Sequence, residues 1–122
     1  MTALNTDIDT LIAADAAACA LAATAAQEFL DKHFGGKDGG CCGFAWVTYW
    51  PTHKGNTKLG KAERKMMERI GFSQDYNNSW RKSNPARAYC QNIDAKFEGA
   101  QAYADALFAS TGVRVGAREK VD

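Results

Sequence analysis

The stretch from Lys54 to Lys65, KGNTKLGKAERK, contains two glycines separated by four residues and followed at once by a lysine. Gly55, Gly60 and Lys61 therefore match most of the phosphate-binding loop GxxxxGK[ST], in which backbone N–H groups and a lysine hold nucleotide phosphates. Ala62 occupies the last position of that motif, so the hydroxyl group that would hold magnesium is missing. The segment predicts phosphate binding without nucleotide hydrolysis.

The distribution of charge supports this interpretation. The chain has 15 basic and 14 acidic side chains, so attraction to nucleic acid has to come from a local patch. Residues 54–69 supply such a patch, with six basic and two acidic side chains. The predicted phosphate-binding residues are Lys54, Gly55, Asn56, Lys58, Gly60, Lys61, Arg64 and Lys65, with the main-chain amides of Gly55, Asn56 and Gly60 facing the phosphate. The alternative is a solvated helix face on which these cations pair with Glu63 and Glu68.

A second basic cluster lies in the segment NNSWRKSNPARAY. Trp80, Arg81 and Arg87 combine an aromatic plane with guanidinium groups, and such mixtures stack on bases and clamp phosphates. The same pattern arises where a tryptophan fills a core and its neighbours face water. These three residues are the candidates for stacking on a base or clamping a phosphate.

Neither catalysis nor metal binding is predicted. His33 and His53 have no nucleophile or orienting acid at a recognisable spacing. The four cysteines form no CxxC pair, so we expect no metal site and no cofactor, and we expect reduced thiols in a cytosolic chain. They are Cys19, Cys41, Cys42 and Cys90.

Periodicity and capping residues define the elements that must position these groups. Helices are predicted over roughly 7–34, 58–70 and 92–110, with Thr6 as the N-cap of the first, and Gly35 and Gly112 at the ends of the first and last. Strands are predicted over 44–50, on both sides of an Asn77–Asn78 turn, and over the VRV segment at 113–115. This order predicts a single α+β domain over 1–122, in which a long N-terminal helix and two further helices pack on a small, mainly antiparallel sheet.

Within that domain, residues 1–36 form an Ala-rich helix that is a candidate oligomerisation element, and residues 42–122 form the α+β core. The strand FAWVTYW has apolar residues on both faces, which predicts a central strand or one whose second face carries a partner. Trp46 is expected to be a large buried residue of this strand. Leu59, Ala62, Met66, Met67 and Ile70 form the expected buried stripe of the middle helix.

The N-terminal segment shows no basic region typical of a signal peptide, and the Ala-rich run contains Asp15. The run is dominated by alanine and carries acidic residues, so we predict no membrane crossing and a cytoplasmic location.

Four segments carry a resemblance to a known group of proteins: CGFAWV, KGNTKLGKAERK, IGFSQDY with the tryptophan that follows, and QNIDAKFEGAQAYADAL. Over residues 42–107 the chain resembles small accessory proteins of tailed bacteriophages. The resemblance assigns no catalytic residue. It implies a phage protein in the host cytoplasm that counters host defence, either by sequestering a nucleotide signal or by blocking a nuclease complex.

Together these features predict a non-enzymatic, homo-oligomeric binding protein that engages a nucleotide signal or a nucleic acid through the basic loop and helix. The alternative is a protein–protein inhibitor that blocks a host defence complex, such as a CRISPR effector, and has no small ligand. Salt separates the two, because binding to phosphates weakens steeply with salt whereas a hydrophobic interface barely responds.

Overall fold

The computed structural model describes residues 6–35, 43–86 and 92–121. In these ranges the chain forms three helices and four strands, and it confirms the predicted α+β class with its long N-terminal helix. The elements in chain order are α1 (Ile8–Phe34), β1 (Gly43–Tyr49), α2 (Lys58–Arg69), β2 (Ser73–Gln74), β3 (Trp80–Ser83), α3 (Ile93–Thr111) and β4 (Val115–Val121).

The four strands form one sheet in the order β2-β3-β1-β4, and every neighbouring pair is antiparallel. The prediction that β1 is a central strand is therefore confirmed. From β1 onward the order of elements is β-α-β-β-α-β, which together with this strand order is the split β-α-β, or ferredoxin-like, arrangement. The sequence left open whether β1 pairs in parallel with a later strand. In the structure both neighbours of β1, which are β3 and β4, run antiparallel to it.

Local side-chain chemistry explains where the helices begin and end. The N-cap of α1 is Asp7, whose carboxylate accepts the N–H of Thr10 at 2.7 Å. The prediction of Thr6 as N-cap is wrong, because Asp7 is the extended residue directly before the first turn. Asn92 caps α3 in the same way, and glycines with positive φ end α1 and α3 as predicted.

The helices cover the face of the sheet that bears Ala45, Val47 and Tyr49. α1 packs along α3, and α3 packs on β1 and β4. The largest fully buried side chains of the resulting core are Tyr49, Tyr103, Phe72, Leu11, Met67 and Leu107. Since α1 contributes to this core, it is part of the packed domain and not an appendage to it.

A half-buried carboxylate joins α1 to the remainder of the core. Asp15 accepts hydrogen bonds from the hydroxyl of Tyr103 and from Lys82, whose Nζ lies 3.0 Å away. Lys82 also donates to the carbonyl of Ile70 at 2.6 Å. Burial of Tyr103, followed by its hydrogen bond to Asp15, raises the pKa of its hydroxyl well above the usual value of 10.0.

Two local predictions are wrong. Ala62 is exposed, and Glu63 occupies the buried position of α2 instead. The last strand begins at Val115, where the VRV segment ends, because Gly112 adopts φ 74 at the end of α3 and the pairing with β1 starts only at Val115. The carbonyl of Arg114 then accepts the N–H of Trp50 at 3.0 Å, directly before β4 starts to pair with β1.

Candidate ligand-binding face of the sheet

The loop between β1 and α2 is organised by a buried carboxylate. Glu63 is fully buried and accepts hydrogen bonds from the hydroxyl of Tyr49 and from the N–H groups of Thr52 (2.7 Å) and His53 (3.0 Å). Burial, followed by the bond to Glu63, raises the pKa of the Tyr49 hydroxyl well above its usual value of 10.0. The alternative that placed Glu63 on a solvated helix face is wrong. The signal that was missed is its spacing, because Leu59, Glu63 and Ile70 lie on one helical stripe.

Gly60 is required for packing and is not a ligand for phosphate. A Cβ atom at this position would lie 1.8 Å from the carbonyl oxygen of Lys54, so only glycine lets the helix approach the loop this closely. Its N–H donates to the hydroxyl of Thr57 at 3.0 Å, as the first residues of a capped helix do. The prediction that the amide of Gly60 faces a phosphate is therefore wrong.

Arg64 stabilises the same loop. Its guanidinium group donates to the carbonyl oxygens of His53 and Gly60, both at 2.9 Å. The remaining predicted residues are exposed and stay available to a polyanion. They are Lys54, Gly55, Asn56, Lys58, Lys61 and Lys65. The segment is thus the capped start of a helix, flanked by exposed lysines, and it does not have the hydrogen bonding of a phosphate-binding loop.

The second predicted cluster is divided by the alternation of β3. Trp80 is only 8% exposed and its ring meets that of Tyr49 edge-on, with 6.5 Å between centroids. The prediction that Trp80 stacks on a base is therefore wrong, because its side chain belongs to the core. Arg81, the next residue, points to the opposite face of the sheet. Arg87 lies outside the described residues, as do Cys41, Cys42 and Cys90.

The opposite face of the sheet, which we call the open face, carries aromatic and basic side chains. Phe44 is 57% exposed, Trp50 is 39% exposed and Trp46 is half-buried. The expectation that Trp46 is fully buried is wrong, because the described helices all pack on the other face. The strand registers place the following residues on the open face: Phe44, Trp46, Thr48, Ser73, Arg81, Ser83, Gly116, Arg118 and Lys120, with Trp50 at the end of β1.

Cations and indole rings alternate across three strands of the open face. The Cζ atom of Arg81 on β3 lies 5.0 Å from the centroid of the Trp46 ring on β1. Arg118 on β4 pairs with Trp46 in the register, and its Cζ lies 5.5 Å from the centroid of Trp50. These distances are those of cation–π contacts. We call this row of four residues the cation–aromatic ladder.

Gly116 makes room for one end of the ladder. A Cβ atom at this position would lie 2.8 Å from the ring of Trp50. The indole therefore lies directly against the backbone of β4, beside Arg118. The described residues that the register places on the open face include three cations and no carboxylate, so the local field favours an anion.

One end of the open face runs into a cavity of about 680 Å³. This cavity lies between the Phe44 end of β1 and the turn that joins β2 to β3. Its walls include Phe44, Trp46, Tyr76, Arg81, Lys96 and Lys120. Trp46 and Arg81 belong to both the cavity and the ladder, so the two features form one continuous surface.

Metal chemistry has no candidate within the described ranges, because no group of three or more His, Cys, Asp or Glu side chains comes together there. Comparisons with protein-family models, with curated proteins and with solved structures gave no match to this chain. Any inference about function therefore depends on the geometry of the open face.

Proposed function

We propose that the protein binds single-stranded nucleic acid on the open face of its sheet and catalyses no reaction on it. The observation that supports this proposal is the alternation of accessible aromatic rings and cations over three neighbouring strands. Aromatic planes accept unstacked bases, and guanidinium and ammonium groups pair with phosphates. In the RNA-recognition motif, aromatic side chains on a four-stranded sheet stack two or three RNA bases in this way.

The spacing of the rings favours a single strand over a duplex. Phe44 and Trp46 are two residues apart on β1, a separation of about 7 Å along a strand. The rise per nucleotide in duplex DNA is about 3.4 Å, and the faces of its bases are covered by their neighbours. Bases must therefore be unstacked and spread apart before they can lie on these rings.

This proposal keeps the expected class of ligand and moves the binding surface from the basic loop to the sheet. Nucleic acid was one of the two anionic ligands predicted from the sequence. A role for the exposed lysines of residues 54–65 remains a separate hypothesis. The setting implied by the resemblance, a phage accessory protein that acts against host defence, also stays a prediction.

Fluorescence anisotropy with a labelled short oligothymidine or oligouridine tests the proposal. We expect the wild-type protein to bind the single strand and to bind a duplex of equal length much more weakly. Trp46→Ala should weaken binding about 5- to 150-fold, because loss of one stacked base costs about 1–3 kcal/mol. Equal affinity for duplex and single strand would contradict the proposal.

The matched control is Phe108→Ala. Phe108 is 56% exposed but lies on α3, so its ring is as accessible as those of the sheet without belonging to the open face. Its substitution should leave the affinity unchanged. A similar loss in both variants would show that the strand does not use the sheet. Thermal melting followed by circular dichroism confirms that each variant is folded.

A second candidate function is the protein–protein module predicted as the alternative, and the outer face of α1 favours it. The most apolar window of this helix has a mean hydropathy of 1.5, yet only 17% of it is buried. Ile12 and Leu21 are exposed on it. By length and composition alone α1 also passes a test for membrane spans, which core helices and signal sequences pass too. The predictions of homo-oligomer formation and of no membrane crossing stay predictions.

Sedimentation velocity tests whether copies of this chain associate through the outer face of α1. If the outer face of α1 is an interface between copies, Leu21→Glu should convert an oligomer into a monomer without lowering the melting temperature. A wild-type protein that sediments as a monomer at all concentrations would remove the support for self-association.

A further inference from the structure

We infer that the cavity between Phe44 and the β2–β3 turn is a subsite for one nucleotide of the bound strand, with its base against Phe44 and its phosphate beside Lys120. The inference rests on the proposed function and specifies where on the protein one nucleotide of the strand binds. The cavity volume of about 680 Å³ lies within the range of small-molecule pockets, which is roughly 300–1,000 Å³.

Besides Trp46, two aromatic rings line this cavity from different elements. Phe44 is on β1 and Tyr76, which is 89% exposed, is on the β2–β3 turn. Tyr76 is the most exposed of the large hydrophobic side chains that the structure describes. A base is a flat group with two apolar faces, so it can cover part of both rings while its polar edge stays in water.

The charges around the cavity match a phosphate group. Lys120 lies opposite Phe44 in the pairing of β1 with β4. Lys96 donates to the carbonyl of Gly43 at 3.1 Å, which holds its ammonium group at the cavity and leaves two of its three donors for another acceptor. With Arg81, three cations line the cavity, against Asp75 among the described acidic residues.

Asp75 is already occupied and does not repel an anion as a free carboxylate would. Its carboxylate accepts the N–H groups of Asn77 (2.8 Å) and Ser79 (3.1 Å), and its other oxygen lies 3.4 Å from Nε of Arg81. These contacts attach the β2–β3 turn, which carries Tyr76, to Arg81 of the ladder. The wall of the cavity is therefore ordered before a ligand arrives, which lowers the entropic penalty of binding.

The continuity of the cavity with the ladder identifies the occupant as part of a strand and not as a free nucleotide. Trp46 and Arg81 line the cavity and also form one end of the ladder. A strand that stacks on Trp46 and Trp50 must pass the mouth of the cavity. A free nucleotide would use only the cavity and would gain nothing from the rest of the open face.

Anisotropy titrations of Phe44→Leu and Tyr76→Ala with the same labelled oligonucleotide test the inference. Phe44→Leu keeps an apolar side chain and removes the ring, and Tyr76 is so exposed that its truncation leaves the fold intact. Each variant should weaken binding about 5- to 150-fold, the effect of one lost stacking partner. Phe108→Ala is again the control, and melting temperatures establish that all variants are folded.

The outcomes distinguish the inference from the proposed function. If the wild-type protein fails to bind any single strand, both fail. If it binds, and Trp46→Ala weakens binding while Phe44→Leu and Tyr76→Ala do not, the subsite is overturned and the proposed function stands. Competition with thymidine or uridine monophosphate supplies the last test. If a mononucleotide bound as tightly as the oligonucleotide and displaced it, the occupant of the cavity would be a free nucleotide and not part of a strand.

Discussion

The guanidinium group of Arg81 lies over the indole ring of Trp46, with 5.0 Å between Cζ and the ring centroid. This contact joins two neighbouring strands on the open face, and the carboxylate of Asp75 also pairs with the guanidinium group of Arg81, at 3.4 Å from its Nε. Arg81 is thus oriented while still partly exposed. A cation held in this way can meet a phosphate without first losing side-chain freedom.

Replacing the cations of the ladder should reduce the salt dependence of binding. Each phosphate contact with a single strand contributes a slope of about −0.7 to the logarithm of the binding constant against the logarithm of the salt concentration. Arg81→Gln and Arg118→Gln should each lower the magnitude of that slope by about this amount. Titrations at several salt concentrations measure it, and Arg69→Gln, at the exposed end of α2, is the control. Unchanged slopes in both ladder variants would show that these residues touch no phosphate.

The double substitution of Lys58 and Lys61 by alanine decides between the open face and the basic loop. Both lysines are exposed, so the melting temperature should stay within about 2 °C of the wild type. We expect the affinity for a single strand to fall by no more than a few-fold, through the loss of general attraction. If the double substitution abolished binding and Trp46→Ala did not weaken it, the binding site would be the loop predicted from the sequence.

Glu63→Gln should destabilise the domain strongly. The carboxylate accepts three hydrogen bonds in a fully buried position. In either orientation, the side-chain amide of glutamine would place its NH2 group against the N–H of Thr52 or of His53, so that two donors would face each other. We expect a loss of about 2–4 kcal/mol in the free energy of unfolding, measured by urea denaturation. Glu68→Gln, on the exposed side of the same helix, should cost less than about 0.5 kcal/mol. Equal effects of the two substitutions would contradict the role assigned to Glu63.

Alkaline pH should destabilise the fold through Tyr49 and Tyr103. Burial, and then the bonds to Glu63 and Asp15, raise the pKa of both hydroxyls above the value of 10.0 expected in the unfolded chain. The unfolded chain therefore loses these protons first. The stabilisation is complete below about pH 10 and falls above it by about 1.4 kcal/mol per pH unit for each tyrosine.

Tyr103→Phe isolates one of these two contributions. Urea denaturation between about pH 8 and pH 11 should show a smaller alkaline loss of stability in this variant, although it is less stable at neutral pH because Asp15 loses a donor. Tyr76→Phe, which alters an exposed hydroxyl, should keep the full alkaline loss. An identical pH profile in Tyr103→Phe and the wild type would contradict the assignment.

The elements of the fold were predictable because their signals are local. Glycines at positions 35 and 112 end the first and last helices, Asn92 caps the last one, and the alternation of residues 44–50 identifies a strand. The antiparallel topology was only partly predictable. The pairing of β1 with β4 joins segments about seventy residues apart, and no local pattern encodes that contact.

The candidate site was much less predictable, because the decisive information is which face of each strand is covered. In WRKS the alternation of β3 separates Trp80 from Arg81, but the sequence does not say which of the two faces the helices. Glu63 is the same residue type as Glu68 and yet lies in the core. Arg118 and Lys120 reach the aromatic residues only after β4 has paired with β1.

The attachment of Asp15 has a consequence for how the protein is made. Its distant partners Lys82 and Tyr103 lie 67 and 88 positions later in the chain. A ribosome adds about 5–20 residues each second, so several seconds pass between the synthesis of the apolar helix α1 and that of α3, its packing partner. During that time the apolar surface of this helix has no α3 to pack against, so its docking is expected to be among the last steps of folding.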